Sequence, residues 1–344
     1  MERADKDLAF ILRYENVAWY EDGIVRILDR RIYPIKTEFV TCKTHREVAQ
    51  AITDMVTQSG GPYAAASMGM VLAAYECRDM KTEEQINFLK QASETIAAAR
   101  PTTVNKMRQY TQSAFSAGEK AILSGENTVD AAFEQALKDI DKRYQSYRNI
   151  GRLLASKFPK GGTVMTQCWG ETVVGMMLRA CLEDNNYIKV ICPETRPYCQ
   201  GARLTASCVR DMGFDVTVIS DNMPAYVMDE KKVDVFTSAA DVICMDGHIV
   251  NKVGTFQIAL AAHYWGIPYY VSGIPNKAHE QKASVIIEER DPELVLNAFG
   301  TKITMDGVNG YYPAFDITPP KFVSGVVTNK GIYSPYDLWA YWRD

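Results

Sequence analysis

The part of the chain that most constrains the fold runs from residue 162 to 272, where short apolar runs alternate with segments of helical periodicity. The apolar runs predict strands at Gly162–Met165, Tyr187–Cys192, Val216–Ile219, Val233–Ser238 and Tyr269–Ser272, and the segments between them predict helices at Thr172–Leu182, Ala202–Met212, Met223–Met228 and Thr255–Trp265. Strands that alternate with helices at this spacing are typical of an α/β fold with a doubly wound parallel sheet.

The preceding half of the chain has a different pattern. Asp22-Gly23 between the β-rich runs 17–20 and 24–28 predicts a hairpin, and Thr44 with Glu47 forms a capping box that begins a helix. Further helices are predicted at Tyr63–Cys77, Thr82–Ala99, Val104–Leu123 and Val129–Phe158. We therefore predict an N-terminal helical domain with a small antiparallel sheet, residues 1–145, and a C-terminal α/β domain, residues 146–344.

Composition excludes several classes of protein. A net charge of −4 and a pI near 5.7 argue against nucleic-acid binding, although a small basic pocket for a phosphorylated metabolite stays open. The most apolar tract, Gly254–Pro275, is too interrupted to span a membrane, and the first residues lack the apolar stretch of a signal peptide. Eight cysteines without a Cys-x-x-Cys pair fit reduced thiols in a cytoplasmic protein.

Cys168 is the first candidate for chemistry, because it lies between a predicted strand and a predicted helix. Open α/β sheets bind ligands at such junctions, and the partial positive charge of a helix N-terminus lowers the pKa of a thiol. The alternative is a buried cysteine that packs as a small apolar group, and position alone slightly favours that alternative.

Polar side chains follow each of the predicted parallel strands. Since the carboxyl ends of parallel strands share one edge of a sheet, these side chains could converge on one crevice. They are Cys168 after the first strand, Glu194, Arg196 and Gln200 after the second, Asp221 and Asn222 after the third, and Asp241, Asn251 and Lys252 after the fourth. The set predicts a small-molecule site with a thiol, a carboxylate, an amide and a cation.

The motifs that are missing narrow the chemistry. The sequence has neither a dinucleotide-binding glycine motif nor a P-loop, and its four histidines lack metal-ligand spacing, so we predict no metal site. His248 could serve Cys168 as the base of a Cys–His hydrolase, although an exposed loop histidine is the commoner explanation.

A thiol and a carboxylate in a closed crevice suit acid–base work on a sugar, with burial shifting both pKa values toward the working pH. Lys252 and Arg100 could then hold a phosphate. For Arg196 and Arg203 the alternative is structural pairing with Glu194 or Asp221. Gly60-Gly61 could direct backbone N–H groups toward an anion, but these residues alone favour a plain turn between helices.

Several blocks of this sequence resemble the methylthioribose-1-phosphate isomerase family and its relatives, the ribose-1,5-bisphosphate isomerases and the regulatory subunits of the translation-initiation guanine-nucleotide exchange factor. The resemblance extends from the hairpin to about Gly331. The blocks are Arg100-Pro-Thr-Thr-Val-Asn105, Pro193-Glu-Thr-Arg-Pro-Tyr-Cys-Gln-Gly-Ala-Arg-Leu-Thr-Ala206, Asp221-Asn-Met223, Asn251-Lys-Val-Gly-Thr255, Glu288-Glu-Arg290 and Pro313-Ala-Phe-Asp-Ile-Thr-Pro319.

The resemblance implies a C-terminal Rossmann-like domain, a homodimer, and no metal or nucleotide cofactor. It also implies aldose–ketose isomerisation of a pentose 1-phosphate, with Cys168 and Asp241 as the catalytic pair. Because the phosphate blocks C1, we expect Asp241 to protonate the ring oxygen and Cys168 to assist the hydrogen's movement from C2 to C1, as a proton or as a hydride. Contacts to the substrate are implied for Gly60, Gly61, Arg100, Gln200, Asn251 and Lys252.

This chain departs from the family pattern at three places that border the implied site. Ser59-Gly60-Gly61-Pro62 replaces Arg-Gly-Ala-Pro, Trp169-Gly170-Glu171 replaces Asn, a small residue and Gly, and Ala239-Ala240-Asp241-Val242 replaces Gly-Ala-Asp-Arg. Because these changes border the implied site, the substrate could differ from that of the family. 5-Methylthioribose 1-phosphate is the first candidate that the resemblance implies, with 5-deoxyribose 1-phosphate and ribose 1,5-bisphosphate as alternatives. A regulatory subunit that binds a sugar phosphate or a nucleotide without turnover is the alternative from a different class.

Overall fold

The computed structural model describes residues 3–100 and 104–343. The chain divides into two compact units, with the boundary between Gln145 and Ser146. Predictions made for residues 101–103, including Pro101 as the first residue of a helix, lie outside the described residues. Within the described residues, no helix is both long and apolar enough to cross a membrane.

The first unit consists of a small antiparallel sheet and helices. Its elements are α1 (Tyr14–Val17), β1 (Ala18–Glu21), β2 (Ile24–Leu28), β3 (Phe39–Cys42), α2 (His45–Thr53), α3 (Gly61–Glu76), α4 (Thr82–Ala98), α5 (Val104–Ser124) and α6 (Thr128–Ala155), of which α6 continues past the boundary.

The antiparallel sheet of the first unit confirms the predicted hairpin. Glu21 pairs with Ile24, and the two residues between them, Asp22 and Gly23, have φ angles of 47° and 79°, as a tight type I′ turn requires. The strand β3, which pairs with β2, was not predicted, because its residues Phe39–Cys42 lack a clear alternation of apolar and polar side chains. The predicted capping box is present at the start of α2.

The second unit alternates strands and helices, as predicted. Its elements are β4 (Thr163–Met165), α7 (Thr172–Glu183), β5 (Lys189–Pro193), a π-helical turn (Gly201–Thr205), α8 (Ala206–Asp211), β6 (Asp215–Ile219), α9 (Pro224–Glu230), β7 (Val235–Ala239), β8 (Val242–Ile243), β9 (Ile249–Lys252), α10 (Thr255–Tyr264), β10 (Tyr269–Ser272), α11 (Glu293–Leu296), β11 (Asn297–Ala298), β12 (Thr301–Lys302), β13 (Phe315–Thr318), β14 (Gly325–Val327), β15 (Ile332–Tyr333) and α12 (Ala340–Arg343).

The main sheet of this unit has the strand order β15-β14-β10-β7-β4-β5-β6, and every neighbouring pair except β14–β15 is parallel. The predicted parallel sheet is therefore confirmed. The chain proceeds outward from β4 through β5 to β6, then returns to β7 on the other side of β4. The reversal between β4 and β7 is a switch point, beside which open α/β sheets form a crevice for ligands.

A second sheet in the same unit has the order β13-β9-β8 and is antiparallel. Lys252 lies opposite Phe315, and Asn251 lies opposite Asp316. The prediction that Asn251 and Lys252 belong to the loop after a strand was incomplete, since both residues lie in β9. The sequence hides this strand because half of its four residues are polar, although all four are buried.

Candidate active site

Cys168 lies in the loop between the end of β4 and the start of α7. Its φ angle is 59°, in the left-handed region that side chains other than glycine rarely adopt. The loop is tied to the π-helical turn, because the hydroxyl of Thr205 donates a hydrogen bond to the carbonyl of Cys168. It is also tied to the end of β9, because Gln167 Nε2 lies 3.4 Å from the carbonyl oxygen of Val253. The strained backbone is thus held from two sides.

The sulfur of Cys168 is surrounded by protein, although the residue as a whole is only half-buried. Burial raises the pKa of the thiol to about 11, while the positive charge of Lys252 lowers this pKa and the negative charge of Asp241 raises it. The backbone N–H of Trp169 and the cation of Arg290 lower it further. The charged groups that act on this thiol therefore come from three separate segments of the second unit.

The prediction that a helix N-terminus lowers the pKa of this thiol was wrong. The helix α7 begins only at Thr172, and the cost of burying a thiolate outweighs every group that favours it. The pKa also moves away from the working pH rather than toward it. Cys168 is therefore a neutral thiol at pH 7.

Asp241 follows β7, the strand beside β4, so that Asp241 and Cys168 both lie beyond the carboxyl ends of the two strands at the switch point. Its backbone N–H donates to the carbonyl of Val250 at 2.9 Å, which fixes the turn into β8. The residue is exposed, so the expectation that a closed crevice buries this carboxyl group is wrong. The structure thus brings the thiol and the carboxyl group to the same edge of the sheet.

Asn251 and Lys252 are both 5% exposed. Asn251 donates from Nδ2 to the hydroxyl of Thr255 at 3.0 Å, and Lys252 Nζ lies 4.7 Å from the ring centroid of Phe315. Burial lowers the pKa of Lys252, whereas Cys168 and Asp241 raise it. A buried ammonium group is costly unless an anion compensates it, so this position suits an anionic ligand.

Gln200 is 5% exposed and lies directly before the π-helical turn. Its Oε1 atom has no hydrogen-bond partner among the described residues, which leaves this acceptor free for a ligand. The turn packs tightly against the end of β5, since a Cβ atom at Gly201 would lie 1.9 Å from the carbonyl oxygen of Pro193. A glycine is therefore required at position 201. The same close packing holds the preceding residue, Gln200, at the end of β5.

Three predicted candidates have structural partners instead. The carboxylate of Asp221 accepts hydrogen bonds from the backbone N–H groups of Thr195 and Arg196, both at 2.7 Å, and so clamps the loop after β5. The guanidinium of Arg196 donates to the carbonyl of Asn297, and that of Arg203 donates to the carbonyl of Tyr198. Arg203 thus has a structural partner in the backbone, and its expected pairing with Glu194 or Asp221 stays a prediction.

His248, considered as a base for Cys168, has its Nδ1 atom 3.1 Å from the carboxylate of Asp246. The groups that shift the pKa of Cys168 most do not include His248. Within residues 3–100 and 104–343, no group of three or more His, Cys, Asp or Glu side chains could hold a metal ion.

Gly60, Gly61 and Arg100 lie in the first unit, and their contacts with a substrate stay predictions. The helix α3 begins at Gly61, where an added Cβ atom would lie 1.9 Å from Thr57 Oγ1 and 2.8 Å from Nη1 of the buried Arg30. Packing inside this unit therefore suffices to explain Gly61. Arg100 is half-buried and follows α4.

Sequence reasoning missed Arg290 and Tyr312 as members of the site. Arg290 donates from Nε to the carboxylate of Glu288 at 2.9 Å, and its charge acts on both Cys168 and Lys252. Tyr312 is 3% exposed. Arg290 belongs to one of the blocks that carry the family resemblance and could have been singled out, whereas nothing in the sequence distinguishes Tyr312 from Tyr311.

The arrangement can bind an anion and move protons. Lys252 and Arg290 supply positive charge, Asp241 supplies a carboxyl group that solvent can reach, and the charges of all three act on the buried thiol of Cys168. Such a set suits a small phosphorylated molecule, one end of which is neutralised while the other reacts.

Comparison with known proteins identifies relatives over nearly the whole chain. The model of the initiation factor 2 subunit family matches residues 59–335. A methylthioribose-1-phosphate isomerase of Fervidobacterium nodosum is 36% identical over 346 residues, covering 95% of this chain and 96% of that protein. A methylthioribose-1-phosphate isomerase of Thermotoga maritima is 35% identical over 341 residues, covering 94% and 96%.

Solved structures resemble this chain to a similar extent. The crystal structure of 5-methylthioribose 1-phosphate isomerase from Pyrococcus horikoshii OT3 aligns with a TM-score of 0.83 and 28% identity, covering 96% of this chain and 98% of that one. The crystal structure of translation initiation factor eIF-2B, subunit delta, from A. fulgidus aligns with a TM-score of 0.79 and 31% identity, covering 93% and 96%.

Proposed function

Because the chain belongs to the initiation factor 2 subunit family, we propose that it is the catalytic type of member, an aldose–ketose isomerase that converts 5-methylthioribose 1-phosphate to the corresponding ribulose 1-phosphate. The observation that carries the proposal is that Cys168 and Asp241 both lie at the switch point of the parallel sheet. There the charge of Asp241 shifts the pKa of the Cys168 thiol. The names of the relatives that cover the whole chain support the substrate.

In the proposed reaction, Asp241 donates a proton to the ring oxygen, and the bond between that oxygen and C1 breaks. A hydrogen then moves from C2 to C1, and the C2 hydroxyl returns a proton to the carboxylate as the ketone forms. A neutral thiol at Cys168 favours movement as a hydride, because a proton route needs a base to take the hydrogen of C2. Deuterium from solvent at C1 would exclude a pure hydride shift.

Lys252, Asn251 and Gln200 are proposed to bind the sugar phosphate. The substrate contacts that the family resemblance implies for Gly60, Gly61 and Arg100 also stay proposals. The burial of the first three residues and the unpartnered Oε1 atom of Gln200 support this proposal. We further infer that the second unit is a Rossmann-like catalytic domain, which the reversal of strand order at β4 supports, and that the protein works in the cytoplasm, which its eight free cysteines support.

The experiment that tests this function follows ketose formation from a panel of 5-methylthioribose 1-phosphate, 5-deoxyribose 1-phosphate and ribose 1,5-bisphosphate. Asp241→Asn is expected to lower kcat by at least about 10²-fold, as for loss of a proton-transfer group. Cys168→Ala is expected to lower kcat as well, because the thiol is proposed to assist the hydrogen's movement from C2 to C1. Cys199→Ala and Asp246→Asn, which change the same residue types elsewhere in the second unit, serve as matched controls and keep most of the activity.

A second candidate function is a non-catalytic regulatory subunit, which the similarity to the A. fulgidus delta subunit favours. The replacement of the family's Arg-Gly-Ala-Pro by Ser59-Gly60-Gly61-Pro62 also favours it. Binding of a sugar phosphate or a nucleotide without turnover of any panel member would support this function over the isomerase.

A further inference from the structure

The side chains of Arg290 and Tyr312 lie opposite each other on one face of a short antiparallel ladder. The backbone N–H of Arg290 donates to the carbonyl of Tyr312 at 2.9 Å, and that of Ala314 donates to the carbonyl of Glu288 at 2.8 Å. Residues 289 and 313 form the bridge between these two bonds. Directly opposed residues in an antiparallel pair point to the same side, so this register places the guanidinium beside the phenol.

This face adjoins the candidate active site. The segment continues into β13, where Phe315 lies opposite Lys252, and Lys252 Nζ is 6.0 Å from the ring centroid of Tyr312. Burial raises the pKa of the Tyr312 hydroxyl well above its ordinary value, Arg290 partly opposes this rise, and Tyr198 and Cys168 add to it. The phenol is therefore neutral at pH 7 and lies within electrostatic range of the reactive thiol.

The Tyr312 hydroxyl is buried and has no hydrogen-bond partner of ordinary geometry among the described residues. A hydrogen-bonding contact from Arg290, whose Nε atom is engaged by Glu288, lowers the pKa of the phenol. Because a guanidinium can only donate, the proton of the Tyr312 hydroxyl still has no acceptor among the described residues. The Trp169 indole N–H, next to Cys168, and Gln200 Oε1 are likewise buried and unpartnered. Burying a polar group without a partner costs free energy, so an unpartnered hydroxyl that interacts with the thiol of Cys168 indicates a polar ligand.

We propose that the Tyr312 hydroxyl binds the substrate, donating a hydrogen bond to a sugar oxygen beside the carbon atoms held at Cys168. This inference rests on the proposed function, since it assigns a recognition group to the same site. A neutral phenol both donates and accepts, which matches a sugar hydroxyl or the carbonyl formed from it. The adjacent Arg290 cation makes the phenol a better donor, and so Arg290 acts as a positioning residue.

The test compares Tyr312→Phe, which removes only the oxygen, with Tyr311→Phe, which changes the neighbouring and 68% exposed tyrosine in the same way. For the purified full chain, kcat and KM are measured with each pentose 1-phosphate of the panel, and the thermal midpoint is measured without substrate. Tyr312→Phe is expected to lower kcat/KM about 3- to 10-fold, as for loss of one hydrogen bond, without lowering the thermal midpoint. Tyr311→Phe is expected to match the wild type in both.

Three results overturn the inference, and they can be distinguished from one another. If the wild type turns over a pentose 1-phosphate and Tyr312→Phe does so with the same kcat/KM, the hydroxyl does not bind substrate and the proposed function stands. If the thermal midpoint of the variant falls while its kcat/KM is unchanged, the hydroxyl has a structural role, and again the inference fails while the proposed function stands. If the wild type neither binds nor turns over any panel member, the proposed function fails and this inference fails with it.

Discussion

At the residue scale, the protonation state of Cys168 decides how the site can react. Alkylation by iodoacetamide requires the thiolate, and a pKa of about 11 leaves only about one thiol in a thousand ionised at pH 8. We therefore expect the rate of labelling of Cys168, followed by peptide mass spectrometry, to rise about tenfold per pH unit from pH 7 to pH 10 without a plateau.

The lysine at position 252 provides the control for this measurement. Its cation lowers the pKa of the thiol, so Lys252→Met should raise that pKa further and slow the labelling at every pH in the range. A plateau in the wild type near pH 8 would show an activated thiolate, contrary to the neutral thiol described here.

Single residues differ in how well sequence alone finds them. The position of Cys168 and Asp241 at one edge of the sheet could be predicted, because each follows an apolar strand and strand ends of a parallel sheet meet at one edge. The raised pKa of Cys168 could not be predicted, because it depends on how completely the surrounding segments bury the sulfur. The burial of Tyr312 could not be predicted either. Residues 312–314 pair with residues 288–290, and no local pattern in the sequence indicates this pairing.

At the element scale, the N-terminus of α10 depends on a carboxylate from another strand. Asp316 in β13 accepts hydrogen bonds from the backbone N–H groups of Gly254 at 2.7 Å and Phe256 at 3.1 Å. These two donors belong to the first turn of the helix and its cap, where no intrahelical acceptor exists. Asp316 therefore joins α10 to the sheet that carries Asn251 and Lys252.

Burial raises the pKa of Asp316 from 3.8 to about 6, although the two N–H groups lower it. The folded state therefore binds a proton more tightly than the unfolded state, so the contribution to stability is complete below pH 4 and is lost as pH rises through 6. Because Asp316 is partly exposed, its contribution to the free energy of unfolding falls by at most about 3 kcal/mol over this pH range.

The prediction is that this pH dependence disappears in Asp316→Asn. The free energy of unfolding of both proteins is measured with urea at pH 4, 5, 6 and 7. As the pH rises, the variant should become more stable relative to the wild type. Asp306→Asn, whose carboxylate is 98% exposed, is the matched control and should follow the wild type. A difference for Asp316→Asn that stays constant over this range would refute the assignment.

Elements were predictable where a local pattern specifies them. The Asp22-Gly23 turn and the Thr44 capping box are specified by a few adjacent residues, and both were found where the sequence places them. The sheet β13-β9-β8 was not predicted, because strands of two to four residues carry too little periodicity. The pairing of β13 with β9 joins segments more than sixty residues apart, so tertiary contacts and not local preference establish it.

At the scale of the whole molecule, we propose a homodimer. Large apolar side chains are exposed on α9 and α10 of the second unit and just after them, namely Tyr226 at 72%, Leu260 at 43%, Tyr264 at 79% and Trp265 at 43%. Clusters of exposed apolar surface are typical of protein–protein contacts. Sedimentation equilibrium should give a mass about twice the 38.6 kDa of one chain, whereas a single-chain mass at micromolar concentration would count against the dimer.

The central claim is that this chain performs an isomerisation at C1 and C2 of a pentose 1-phosphate. The most direct measurement follows 5-methylthioribose 1-phosphate with the purified protein by ¹³C and ³¹P NMR. Isomerisation predicts that the anomeric C1 signal is replaced by a ketone carbon at C2 while the phosphate stays bound to C1. An unchanged spectrum, with the sugar phosphate nevertheless bound to the protein, would contradict the claim and identify a binding protein in place of an enzyme.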